Sequence, residues 1–70
     1  MSGIVEKVIS LLEDGEAHSL ESISQKCDIK ESLTEEVISF LKSFDFVELD
    51  ESKKDVRLTR VFLDFLRSVD

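Results

Sequence analysis

Lys53, Lys54, Arg57 and Arg60 fall within one eight-residue stretch, and theirs is the clearest chemistry in the chain. Cations spaced this closely suit phosphate oxygens, because each one releases a counterion from a polyanion that it meets. The other reactive residue types are sparse. His18 and Cys27 are the only strong soft-metal ligands, one of each, with no CxxC or HxxxH spacing, so no zinc site is expected. Cys27 falls on an apolar stripe at a helix end and reads as a small core residue rather than a nucleophile. His18 alone makes no triad, since no motif places a nucleophile for it. Gly3 and Gly15 are the only glycines, too few for a phosphate-cradling loop. Chains of 70 residues also rarely enclose a catalytic pocket. The expected chemistry is binding, with no enzyme activity, no metal and no cofactor.

The elements that must position these cations centre on residues 33–58. Leu33, Val37, Ile38, Phe40, Leu41 and Phe44 follow the i, i+4, i+7, i+8 spacing of one buried helical face. The period then drops from 3.6 to 2. Val47 and Leu49 alternate with Glu48 and Asp50, and Val56 and Leu58 flank Arg57, which predicts a two-stranded hairpin beginning at Phe46. Pairing Val47 with Leu58 and Leu49 with Val56 closes the four-residue loop Glu51-Ser52-Lys53-Lys54 and sets Glu48 opposite Arg57, a favourable charge pair. A slip of one residue would turn the apolar set outward, so the register is well specified.

Around this centre, a first helix is expected over Gly3 to Glu13, with Ser2 as N-cap and Asp14-Gly15 ending it through a left-handed glycine. Its arc is Ile4, Val5, Val8, Ile9, Leu11 and Leu12. Ser19 reads as the cap of a second helix, Leu20 to Cys27, with the narrow stripe Leu20, Ile23 and Cys27. Two capping boxes compete to open the third helix, Asp28-Ile29-Lys30-Glu31 and Ser32-Leu33-Thr34-Glu35. Ser32 is the expected cap, because Leu33 then opens the apolar stripe and residues 28–31 form a turn. Thr59 caps the last helix, Arg60 to Val69. There Val61, Phe62, Leu63, Phe65, Leu66 and Val69 cover well over half the circumference, more than one buried stripe needs. The surplus, placed around Leu63, points to self-association through Leu63, Phe62 and Leu66. The alternative is that the first and last helices pack side by side and use up that arc.

Seventy residues make a single domain near the lower limit for an unstapled core. Apolar content of 41% beside 36% charged residues fits a globular protein. No window approaches the apolar length of a membrane span, and Met1 to Lys7 lacks the basic start of a secretory signal. One cysteine excludes an internal disulfide and fits a reducing compartment, so the expectation is a cytoplasmic protein with no membrane partner. The net charge of −7 is unevenly spread: residues 1–52 carry 4 Lys/Arg against 13 Asp/Glu, and residues 53–70 carry 5 against 3. The C-terminal quarter is the one basic region of an acidic chain.

Three stretches carry a family resemblance: Ser19 to Cys27, Val37 to Glu48, and Val56-Arg57-Leu58-Thr59. Their order and lengths resemble the winged helix-turn-helix domains of small prokaryotic, especially archaeal, transcription regulators. The resemblance covers roughly residues 4–67 and is a pattern of apolar positions, specific for fold more than for function. It implies a mainly α fold with a small antiparallel β-sheet, with the helix-turn-helix over about 19–44, the wing over about 46–59 and the C-terminal helix over about 60–69. It also implies a short strand near Glu16-Ala17-His18 that pairs with the wing. The chain departs from the pattern in two places. No glycine stands in the turn Cys27-Asp28-Ile29, and the link to the third helix reads about three residues longer than usual. The outward face of the third helix is Glu35, Glu36, Ser39, Lys42 and Ser43, where a major-groove helix usually offers Arg, Lys, Asn or Gln.

Two functions follow as expectations. In the first, the domain binds double-stranded DNA as a transcription regulator, with a homodimer formed through the C-terminal helix. Ser39 and Lys42 of the third helix would approach the duplex, and Lys53, Lys54, Arg57 and Arg60 would hold phosphates. In the second, it is a protein-interaction module whose acidic second and third helices meet a basic protein partner. The placement of charge discriminates between them. Lys26, Lys30 and Lys42 joining the wing cations on one continuous face would favour DNA, and carboxylates interrupting that face would favour a protein partner.

Overall fold

Alternation decides the register of the hairpin, and the computed structural model, which describes residues 3–68, has the register that alternation dictates. Strand β2 (Val47–Asp50) pairs antiparallel with β3 (Asp55–Leu58), Val47 opposite Leu58 and Leu49 opposite Val56. Val47, Val56 and Leu58 are buried, so the inner face of the hairpin is core. The loop over 51–54 is closed by the Asp50 carboxylate, which accepts from the Ser52 hydroxyl at 2.9 Å and from the Ser52 and Lys53 N–H groups at 3.1 and 3.3 Å. Lys54 leaves the turn in the left-handed region, at φ 58°. A third strand, β1 (His18–Ser19), adds to the far edge of β3, so the sheet order is β1-β3-β2.

Three helices pack against this sheet and a fourth follows it. Helix α1 (Gly3–Leu12) stops one residue short of the expected end, and Gly15 follows it at φ +79°. Side chains rarely adopt that φ, and a Cβ there would lie 3.3 Å from Leu63 Cδ2, close enough that the leucine would have to shift. The expected cap Ser2 lies outside the described residues. Ser19 caps α2 (Leu20–Cys27), its hydroxyl accepting the Ser22 N–H at 3.0 Å. Cys27 is buried, as its stripe predicts, and burial pushes its thiol pKa up.

Helix α3 (Glu31–Ser43) begins two residues earlier than the sequence reading places it, and Lys30, not Ser32, is its N-cap, with no side-chain capping bond. The reason lies in the preceding turn. Asp28 adopts a left-handed φ of 58° to end α2, and the Ile29 N–H reaches back to the Ser24 carbonyl at 3.0 Å. Only Lys30 then remains to be extended before the helix begins. Thr34, an inner residue of the rejected capping box, is instead fully buried, and its hydroxyl donates to the Lys30 carbonyl at 3.1 Å. The turn between the two helices is therefore three residues, 28–30, within the length usual for a helix-turn-helix. The extra length expected there is absent.

Two further expectations fail on burial. The inward stripe of α3 is Thr34, Val37, Ile38 and Leu41, whereas Phe40 and Phe44 are 53% and 55% exposed. The six apolar positions that the spacing assigns to one face form two, and a threonine sits at the centre of the buried one. In α4 (Arg60–Ser68), Leu63 is not a surface residue: it is 8% exposed and belongs to the core. Phe62 and Leu66 pack part-buried beside it. The unburied surplus of this helix is Val61 and Phe65, 81% and 59% exposed. Val69 lies outside the described residues.

The core joins α1, α2, α3 and the sheet through Val8, Leu12, Ile23, Ile38, Leu41 and Val56. Each large aliphatic side chain buried there contributes about 1.5–3 kcal/mol relative to exposure. The fold is mainly α with a small antiparallel sheet, and its order of helix, strand, helix, helix, hairpin, helix is compatible with a winged-helix layout. No described helix is long and apolar enough to cross a membrane.

Candidate functional site

The side chains expected to meet DNA are distributed over separate surfaces. Ser39 and Lys42 stand on the side of α3 nearest the wing, where a small hollow of about 120 Å³ is lined by Leu20, Glu35, Ile38, Ser39, Lys42 and Leu49. Across it, Lys42 Nζ reaches to 3.8 Å from Glu51 Oε2 in the wing loop. The cation best placed on α3 to meet a phosphate already faces a carboxylate.

Arg57 points to the opposite, outer face of the sheet, as strand alternation requires. Its Nε lies 3.3 Å from Glu48 Oε1, the partner that the hairpin register predicts. Arg57 and Lys53 line one hollow there, together with the three carboxylates Glu48, Asp50 and Asp55. Arg57 and Arg60 share a second hollow with Glu48, beside Gly15 and Leu63. Arg60 Nε is 3.8 Å from Asp64 Oδ2, one helical turn further on. Lys53 and Lys54 are exposed at the wing tip and have no ion-pair partner among the described residues. Lys26 joins none of these groups, since it lines the groove between α1 and α2 with Glu6, Lys7 and Asp28. The geometry brings Arg57 near Arg60 and Ser39 near Lys42, but carboxylates stand within each group.

The α2–α3 side is more acidic still. Glu21, Asp28, Glu31, Glu35 and Glu36 are all exposed there, against Lys26 and Lys30. Glu31 sits in the first turn of α3, where its charge favours the helix dipole. Outside these surfaces, His18 Nε2 lies 3.0 Å from Asp14 Oδ2. The Glu16 N–H, at 2.8 Å, and then the His18 ring hold the Asp14 carboxyl below the usual carboxylate range. No cluster of three His, Cys, Asp or Glu that could hold a metal occurs among the described residues.

The chain matches no protein-family model and no curated protein.

One surface escaped the sequence reading. The five phenylalanines, which are all the aromatic residues of the chain, form a continuous band. Phe40 meets Phe44 edge-on at 5.1 Å, Phe44 stacks on Phe46 at 5.6 Å, Phe46 on Phe62 at 4.2 Å, and Phe62 on Phe65 at 6.4 Å. The band runs from the end of α3 across the turn to α4. A groove of about 690 Å³ lies along it, lined by Phe44, Phe46, Val61, Phe62 and Phe65, with Asp45 and Thr59 as its polar members. Asp45 is left-handed at φ 61°, and its carbonyl accepts the Thr59 hydroxyl at 2.9 Å, which fixes the turn against the start of α4. The signal was present in the spacing: Phe40/Phe44 and Phe62/Phe65 are each one helical turn apart. Reading the first pair as core concealed it.

Proposed function

We propose that this winged-helix domain is a protein-interaction module whose acidic α2–α3 side binds a basic protein surface. The observation that carries the reading is that carboxylates pair with three of the five candidate cations: Lys42 with Glu51, Arg57 with Glu48, and Arg60 with Asp64. A duplex would have to break these pairs and approach Glu31, Glu35 and Glu36 on the helix that would enter its groove, losing much of the counterion-release gain. A Lys/Arg-rich partner meets the same carboxylates as complements, which speeds its encounter and fixes its register. The proposed compartment is the cytoplasm, where the lone thiol of Cys27 stays reduced.

A second reading rests on Lys53 and Lys54. Exposed and without ion-pair partners among the described residues, they support the resemblance to small transcription regulators, with the wing tip holding duplex phosphates and Ser39 and Lys42 reading the groove. One titration separates the two. Labelled protein is followed by NMR amide shifts at low salt, with a Lys/Arg-rich peptide and, separately, a mixed-sequence duplex. Peptide shifts over 28–39 with none from the duplex support the interaction module. Duplex shifts over 32–43 and 53–60 that fade as salt rises would overturn it in favour of the regulator.

A further inference from the structure

The aromatic band runs from Phe40, one helical turn beyond Glu36, to Phe65 on α4, and the proposed acidic surface leaves it unused. We infer that a second copy of this chain covers it, in a symmetric dimer with the two α4 helices antiparallel across the two-fold axis.

Three observations select a second copy over a foreign partner. The first is self-complementarity. Val61 and Phe65 form an exposed apolar ridge one turn long beside the groove, and an isologous contact lets each ridge enter the groove of the other copy. Val61 then faces Phe65 of the second copy, and the reverse holds by symmetry. The second is charge. Arg60 and Asp64 flank this ridge, both well exposed and only loosely paired at 3.8 Å. With Val61 set against Phe65 of the second copy, Arg60 and Asp64 of that copy stand two residues, about 3 Å, apart along the axis. Two intermolecular ion pairs therefore rim the contact. In a chain of net charge −7, copies repel wherever acid dominates, and acid dominates the α2–α3 side but not α4, where Arg60 and Arg67 accompany Asp64. A basic partner would find no excess of carboxylates on this helix to recognise.

The third is area. Phe40, Phe44, Val61 and Phe65, each more than half exposed, present roughly 400 Å² of apolar surface, at the 150–250 Å² a whole phenylalanine offers. The half-buried rings and the charged rim extend this toward the ~800 Å² per partner of an ordinary specific interface. Domains of this size often gain their stability margin by oligomerising.

Sedimentation of the full chain from micromolar to millimolar concentration tests the inference. The expected result is a concentration-dependent rise from 8.0 kDa to twice that mass. Phe65→Ser and Val61→Asp, at exposed positions, should each stay monomeric with an unchanged circular dichroism spectrum. Arg60→Asp and Asp64→Arg should each dimerise at least tenfold more weakly alone, and mixing the two variants should restore a dimer, which only an antiparallel second copy explains. A wild-type chain that stays monomeric at millimolar concentration overturns the inference and gives the band to a foreign apolar segment. A dimer indifferent to Phe65→Ser and Val61→Asp overturns it by placing the interface elsewhere.

Discussion

On the side of α3 nearest the wing, Glu35, Ser39 and Lys42 are polar, and Lys42 reaches across to Glu51. On its other exposed side, Phe40 and Phe44 begin an aromatic band that ends at Phe65. The same thirteen-residue helix and its C-cap Phe44 thus carry two surfaces of opposite physics above one buried stripe. Exposed ion pairs are worth about 0–1 kcal/mol and are screened by salt, so the polar side can exchange its internal partners for external ones at little cost. Stacked rings gain through area, which salt does not screen. Contacts made by the wing side should therefore weaken as ionic strength rises, and contacts made by the aromatic side should persist.

The largest expected effect comes from removing what both surfaces stand on. Leu41 is 1% exposed in the stripe between them, and its carbonyl accepts the Phe44 and Phe46 N–H groups at 3.2 and 3.0 Å as the chain leaves α3. Leu41→Ala should cost about 2–5 kcal/mol, read as a lower midpoint in urea unfolding, and should weaken both surfaces together. A variant that lost one surface and kept the other would show that the two do not share this support.

Next comes a change that reaches the aromatic side alone. The Thr59 hydroxyl donates to the Asp45 carbonyl at 2.9 Å and accepts the Phe62 N–H at 3.3 Å, so one side chain both caps α4 and anchors the turn beneath the rings. Thr59→Ala should cost about 1 kcal/mol, and Thr59→Ser should recover most of it. Amide shifts should spread over 44–46 and 60–65 while the wing loop at 51–54 stays unchanged. Shifts in the wing loop would mean that the surfaces are coupled.

The fold was far more legible in the sequence than the surfaces were. Period-two alternation specified the register of the hairpin to the residue, because a slip would expose Val47, Val56 and Leu58 at once, although its first strand begins at Val47 rather than at the expected Phe46. The caps Ser19 and Thr59 were legible because each side chain has one local backbone partner. The start of α3 was not. Two capping boxes had equal local merit, and the choice fell to the left-handed end of α2, a tertiary matter that propensity does not encode. Periodicity reported that Phe40, Phe44 and the α4 residues were apolar, but not which of them the neighbouring elements had room to cover. For the cations, linear clustering implied one patch, whereas the hairpin turned Arg57 to the outer face and left Lys42 on the other side of the sheet.

The smallest effect belongs to the wing tip, and pH reads it. The Ser52 hydroxyl, and then the Lys53 N–H, hold the Asp50 carboxyl below its ordinary value of 3.8. A carboxyl depressed in the folded state stabilises the fold at pH above its unfolded pKa, and that contribution is lost as pH falls through the folded value. The wing turn should therefore loosen below about pH 4, visible as amide shifts at Ser52 and Lys53 before global acid unfolding. Asp50→Asn keeps an acceptor but removes the charge, so those early shifts should vanish. Asp50→Asn should leave the amide shifts of Phe44 to Phe46 and of the start of α4 as they are in the wild type, since the Thr59 hydroxyl and Asp45 carbonyl that join them make no contact with the wing turn. If both regions moved with one apparent pKa, the wing tip would not be an independent unit, and the contrast between the two sides of α3 would reduce to a single cooperative surface.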